Sequence, residues 1–452
     1  MMHLRLAAML LPLMPYVAQA AVLEVGAGRS YVSVAQAVDA AAPGDTIAVG
    51  PGVYSGNLRL AKPVKLVGSG WPTLAGSGQG NVVLVLADDV ELTGFVIRGS
   101  GTDMMHSDAG AKVHGAQAFI HGNRLMDNLF GVYLGQCERA LIEDNAIVGP
   151  RKLDVGSRGA GVHLYDAHYC TIRHNRVSYV RDGVYFDHAD HNTVEDNEFF
   201  DLRYGVHYMY CGPNQFYRNV FRDSVAGVAI MYTEGVTFSD NQIISNRKGY
   251  NAFGLLMQAC SNCVAERNVI VNNTSGVFME GSRNNLIAHN LIAYNDVGAV
   301  IFGSAPDNTF TGNDFVGNLA TLHTIGHVTE DWAPGGHGNY YGDYEGYDMD
   351  GDGVGDVPHK LQDAFEYLEG NHPLLRLYLN SAAADALVLA ERSFPLIPSS
   401  NQEDPAPQVR PVSGVRVSSE AAGGQQGGSW GAQAAAATSL LLVGGLLWRL
   451  GR

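Results

Sequence analysis

Charge is scarce in this chain of 452 residues, at 16% of the total, and positive charge is scarcer still: 29 lysines and arginines stand against 45 aspartates and glutamates. The formal net charge of −16 argues against nucleic acid and against anionic membrane surfaces as partners, since both would be repelled. Cysteine is also sparse. Five is an odd number, so the count alone assigns no disulfide framework in a compartment where thiols usually pair.

The compartment is written at the ends of the chain. Residues 1–20, MMHLRLAAMLLPLMPYVAQA, place Arg5 before an apolar run and finish on Ala18, Gln19 and Ala20, the pattern of a cleaved export signal. Residues 431–448, GAQAAAATSLLLVGGLLW, carry no charge, and Arg449 and Arg452 follow. At 1.5 Å per residue such a segment spans about 27 Å, enough for a bilayer, and the trailing arginines favour an inside C-terminus. The expectation is an exported body outside the membrane with a tether at its tail.

Glycine, at 55 residues, is abundant, and the sequence between the ends repeats. Asparagine recurs at 123, 145, 175, 197, 219, 241, 268, 290 and 313, mostly 22 residues apart, which is the signature of a solenoid. Fourteen residues before most of these a glycine opens an apolar segment: Gly131, Gly161, Gly183, Gly205, Gly227, Gly254, Gly276 and Gly298. Valine, isoleucine, phenylalanine and tyrosine alternate with period two and are broken by Gly, Asn and Asp, so each coil is made of short strands, not helices. Stacked coils would set the asparagine amides in a hydrogen-bonded ladder. The side chains two residues on, Leu125 through Phe315, would point inward as the core. The predicted fold is all-β, a right-handed parallel β-helix over residues 21–378.

The two ends of a solenoid need covers. SVAQAVDAAA (33–42) reads as a capping helix with Ser33 at its N-cap, and SAAADALVLAER within 379–394 reads as a second one. Residues 395–430, rich in Pro, Ser, Gly and Gln, read as a flexible linker. Insertions around 150–157 and 246–251 lengthen two coils and should bulge from the stack.

In a strand written Gly-Val-x-Leu-x the third and fifth residues face outward. The third column runs Tyr133, His163, Tyr185, His207, Ala229, and the fifth runs Gly135, Tyr165, Asp187, Met209, Met231. Coils stack about 4.8 Å apart and alternate residues lie about 6.7 Å apart, so His207, Met209 and Met231 fall within reach of one soft ion such as Cu(I). His163, Asp187 and His188 stand near enough to add ligands or support them. An aromatic and methionine face covered by a protein partner is the plainer reading of the same columns. Met104, Met105 and His106 in TDMMHSD form a second copper candidate on a polar loop. Met257 and Met279 fall at inward positions and read as core.

DMDGDGVGD (348–356) sets Asp348, Asp350, Asp352 and Asp356 at positions 1, 3, 5 and 9 of a Ca²⁺ loop, with Gly353 at the turn. His359 stands at position 12, where a bidentate Glu would close such a loop. Cys260 and Cys263 form a CxxC within a coil corner, not at the start of a helix.

The strings LFGVYLG, GAGVHLYD, RDGVYFD, LRYGVHYMY and VAGVAIMYT, followed by GNYYGDYEGYDMDGDGVGDVP, resemble the NosD family of periplasmic maturation proteins for nitrous oxide reductase, over about residues 30–400. The resemblance implies a right-handed parallel β-helix that is not an enzyme. It also implies an ABC-type ATPase and permease as partners, a copper chaperone as donor and the reductase as client. Two readings compete with it: a docking platform that never binds copper, and a carbohydrate-active enzyme, since β-helices host uronate lyases and epimerases. An anionic sugar would need a cation on the exposed face, and neither outward column offers Arg or Lys in these five coils.

Overall fold

The computed structural model describes residues 20–249, 252–362 and 402–415, with a few positions between 368 and 390. Each coil contributes three short strands, one to each of three parallel sheets. The coil through Thr171–Arg173, Arg176–Ser178 and Asp182–Asp187 is representative, and these three strands define sheets I, II and III. Among the described residues the three sheets hold 13, 13 and 12 strands, each paired with the same strand of the coils before and after. Strand to strand, the register is the 22-residue repeat itself: Val184 sits on Val206, and Val206 on Val228.

The alternation expected from sequence holds on the inner side. Leu125, Ile147, Val177, Phe199, Phe221, Ile243, Ile270, Ile292 and Phe315 are at most 2% exposed, and Met257 and Met279 are core as well. Aromatic rings stack along the axis, Phe199 on Phe221 at 5.2 Å and Phe216 on Phe238 at 4.4 Å. The glycines that open sheet III are required by the stack: a Cβ on Gly254 would lie 2.6 Å from the carbonyl oxygen of Gly276 in the next coil.

The asparagine ladder forms as predicted. The backbone N–H of Asn197 donates to Oδ1 of Asn219 at 3.1 Å, and that of Asn219 to Asn241 at 3.0 Å. Each amide nitrogen donates both to the next Oδ1 and to a carbonyl of the previous coil. Two further ladders accompany it. One runs through Asn246, Asn273, Asn295 and Asn318, the other through Asn192 and Asn214 and later through Asn285 and Asn308. Every rung satisfies a buried polar group that would otherwise cost about 1–3 kcal/mol.

The first coil is covered by the helix Val34–Ala40, whose Val34, Ala37 and Val38 are buried. Ser33 occupies the N-cap position, but its hydroxyl makes no cap bond. At the far end the expectation of a flexible linker through 395–430 fails for residues 402–415. Asp404 is fully buried and receives the last rung of the main ladder, Asn339 N–H, at 2.7 Å, and the Tyr341 hydroxyl at 3.0 Å. Gln402 accepts from Trp332 Nε1 at 2.8 Å, and the Val412 backbone N–H donates to Asp314 at 2.7 Å. A carboxylate suits this place because the ladder ends on its N–H side and supplies donors, although burial outweighs them and pushes the Asp404 carboxyl up. The export signal expected at 1–20, apart from residue 20, most of the helix expected at 379–394, and the segment 431–448 lie outside the described residues. Among the described residues no helix is long and apolar enough to cross a membrane.

Candidate functional site on the outer face of sheet III

Sheet III presents the two outward columns. Met209 pairs with Met231 in register, both half-buried, with Asp187 on the preceding strand and Gln258 on the following one. The Tyr185 hydroxyl lies 4.0 Å from Met209 Sδ. The two thioethers are therefore neighbours on one face, as the spacing predicts.

The third column is less open than expected. His207 is only 8% exposed. Its Nδ1 lies 3.1 Å from Oδ2 of Asp182, which is fully buried, and Arg203 grips the same carboxylate through Nε at 2.9 Å and Nη2 at 2.7 Å. Arg181 adds a contact at 3.1 Å. Arg203 Nη2 also lies 3.1 Å from Nδ1. With Arg203 already donating twice to Asp182, the ring proton on Nδ1 goes to the carboxylate, which leaves Nε2 as the imidazole's available lone pair. Burial pushes the Asp182 carboxyl up, but the hydrogen bonds from His207 and Arg203 prevail and hold it below its ordinary range.

His163 is stacked between Tyr133 at 4.6 Å and Tyr185 at 4.7 Å, with Phe130 edge-on at 5.4 Å. Its Nδ1 is buried with no hydrogen-bond partner. Burial, reinforced by the Arg181 charge, depresses its pKa to about 3, so the ring is neutral throughout the physiological range. A neutral imidazole can ligate, but this one is enclosed by aromatic rings and is not brought beside Met209.

Asp182, Arg203 and Arg181 were missed by the column reading, and Lys112 stands on the third column one coil before Tyr133. Cations therefore do reach this face, although none stands in the two outward columns of the five coils. These groups are engaged: Asp182 is out of solvent, Arg203 is bound to it, and Lys112 Nζ donates to the His106 carbonyl at 2.8 Å while lying 4.7 Å over the Tyr133 ring.

Met104, Met105 and His106 lie on a loop that borders a cleft of about 660 Å³ at the start of the same face. Met105 is 92% exposed. His106 Nδ1 is held by Asp103 Oδ2 at 2.7 Å, and His114, also lining the cleft, holds the Gly135 carbonyl through Nδ1 at 2.7 Å. Both rings are thus oriented by oxygen at one nitrogen, the arrangement common to metal-binding histidines. His114 belongs to the fifth column, one coil before Gly135, and was passed over because the strict repeat starts later.

In the acidic loop, carboxylate oxygens of Asp348, Asp350 and Asp352 lie within 4.8 Å of one another. Asp356 stands outside that group and accepts the Met349 N–H at 2.6 Å. His359 stacks on Tyr341 at 4.3 Å.

Comparison with known proteins agrees with this architecture. A solved exopolygalacturonase of family 28 from Yersinia enterocolitica superposes with a TM-score of 0.52 at 10% identity, over 69% of this chain and 78% of its own, a likeness of fold alone. Residues 147–346 match the family described as "Periplasmic copper-binding protein (NosD)". A "Probable ABC transporter binding protein NosD" from Stutzerimonas stutzeri is 34% identical over 376 residues, 79% of this chain and 85% of that protein. Its namesake from Pseudomonas aeruginosa is 37% identical over 375 residues, 79% of this chain and 87% of that protein. With likeness at this level along most of both sequences, the chain belongs to the NosD family.

Proposed function

We propose that this protein is a periplasmic, non-catalytic accessory factor that receives Cu(I) and presents it for assembly of the copper centres of nitrous oxide reductase. In this reading a copper chaperone is the donor, and the ATPase and permease subunits of an ABC-type transporter are its working partners. The family's description as copper-binding and the relatives' naming as ABC transporter binding proteins support the reading.

The observation that carries it is the registered pair Met209 and Met231 beside His207, whose Nδ1 is fixed by a buried carboxylate. Two thioethers and an imidazole suit Cu(I), which is cargo here. Carboxylate support at Nδ1 orients the ring and raises its basicity. A site open on one side holds an ion loosely enough to pass it on. His163, two coils before His207 with Tyr185 between them, is the neutral imidazole proposed as a further ligand, and Met104, Met105 and His106 at the cleft are the second proposed stop. Asp348, Asp350 and Asp352 are the proposed Ca²⁺ ligands, with Asp356 outside their group, and residues 431–448 are the proposed tether.

A host lacking its own copy, complemented with wild type or with His207→Ala, Met209→Ala, Met231→Ala together, tests the proposal. Copper content of the purified reductase should fall severalfold with the triple variant at equal periplasmic amounts. Full copper loading would reduce this face to a docking surface.

A further inference from the structure

All five cysteines fall on one edge of the solenoid, where sheet III turns into sheet I. Register carries Cys137 onto Ala167, Ala189 and Cys211, and Cys211 through Thr233 to Cys260. Three residues on, a parallel column runs from Ala140 through Cys170, Asn192, Asn214 and Val236 to Cys263. Every one of these thiols is at most 7% exposed.

Within this edge the cysteines sort into two pairs and a single residue. Cys170 lies one coil on and one column across from Cys137, and Cys260 and Cys263 flank a single corner; all five are free thiols here, those of Cys170, Cys260 and Cys263 donating to the carbonyls of His168, Ile230 and Ser261 at 3.4, 3.2 and 3.4 Å. Cys211 is held by backbone, accepting from Ala189 N–H at 3.3 Å and donating to the Met209 carbonyl at 3.1 Å. Each pair also sits where the repeat is broken. The insertion at 150–157 lies between Cys137 and Cys170, and the corner with Cys260 and Cys263 ends the sheet III strand that follows the insertion at 246–251.

We propose that Cys137–Cys170 and Cys260–Cys263 are disulfide sites in the exported protein, leaving Cys211 as its one free thiol. In each pair two S–H bonds break and one S–S bond forms. Two protons leave to solvent, and two electrons pass to the disulfide of a thiol–disulfide oxidoreductase, which becomes a dithiol. Since the finished coils bury all four sulfurs, oxidation belongs to the export and folding stage, and the closed stack afterwards shields the bonds from thiols. The first link ties together the two coils that the longer insertion separates; the second fixes the corner beyond Met257 and Gln258.

The test uses full-length protein isolated from the periplasm without reductant, denatured, alkylated with iodoacetamide and analysed by intact mass and peptide mapping. One alkylated cysteine, Cys211, is expected, rising to five after prior reduction, with linked peptides joining 137 to 170 and 260 to 263. Five alkylated cysteines without reduction, or a linkage through Cys211, would overturn the proposal. Reductant should also lower the wild-type melting temperature, whereas a variant with all four paired cysteines changed to Ser should melt at one lower temperature with or without it. A wild-type melt unmoved by reductant would count equally against the proposal.

Discussion

Nδ1 of His207 lies 3.1 Å from the carboxylate of Asp182 on the preceding coil, and that carboxylate has no solvent exposure. Asp182 thus does two things at once. It neutralises Arg203, and it takes the proton of Nδ1, which leaves Nε2 as the free lone pair of the imidazole.

Replacing Asp182 by Asn leaves Arg203 without its buried counter-charge. Arg203 keeps a third of its side chain in solvent, so the loss is smaller than for a fully buried pair, about 1–3 kcal/mol, and the variant should show it in thermal or denaturant unfolding. A variant as stable as wild type would mean that Arg203 relaxes into solvent.

The pH dependence of the same group has a definite sign. Its folded pKa is held below the unfolded value, so its contribution is present above about pH 4 and is lost as pH falls through the folded pKa. Acid unfolding should flatten in Asp182→Asn relative to wild type.

Glu330 should act in the opposite direction. It ends the ladder through Asn308, accepting that residue's N–H at 2.6 Å, and burial pushes its pKa up to about 8. A raised carboxyl pKa favours the folded state below the unfolded value near pH 4.5, and the advantage is lost as pH rises through about 8. Glu330→Gln should therefore weaken the fall in melting temperature between pH 5 and 9, and an unchanged profile would assign that fall elsewhere.

Asn219→Ala removes a fully buried amide that donates to Val194 and Asn241 and accepts from Asn197. Leaving those partners unsatisfied costs about 2–4 kcal/mol, to be read from chemical unfolding. Asn272, a turn asparagine that is only half-buried, should cost less when changed to Ser.

Asp404→Ala should release the strap 402–415 from the last coil, since Asn339 and Tyr341 both bond to that carboxylate. Limited proteolysis should cut within the strap at a protease concentration that spares wild type.

The repeat made most of the fold legible in the sequence. A period of 22 and an alternation of two placed Leu125 through Phe315 inside and Met209 beside Met231. What escaped had a physical cause in each instance. Strict alternation would turn Asp182 and Tyr204, the residues before each glycine, inward, but the alternation breaks at Gly183 and Gly205, where a Cβ would meet Phe199 and Phe221 of the core, so Asp182 and Tyr204 emerge on the His207 side. The burial of His207 follows from Arg203, whose long side chain folds back from a turn onto the sheet, which no spacing rule encodes. The strap came as a surprise because its polar residues resemble a linker, while Gln402, Asp404 and Ser413 are buried by hydrogen bonds to partners distant in sequence. The second and third ladders were interrupted by Val236 or begun late, so their period was masked by the stronger one.

The central claim is that copper rests on the face built from His207, Met209 and Met231. Cu(I) titration of the fully reduced, full-length protein against a competing chelator tests it most directly, with wild type beside His207→Ala, Met209→Ala, Met231→Ala and beside Met104→Ala, Met105→Ala, His106→Ala. The account predicts stoichiometric binding by wild type, loss of one equivalent in the first triple variant, and loss of a separate equivalent in the second. Binding that is unchanged in the first variant, or absent from wild type, would contradict it.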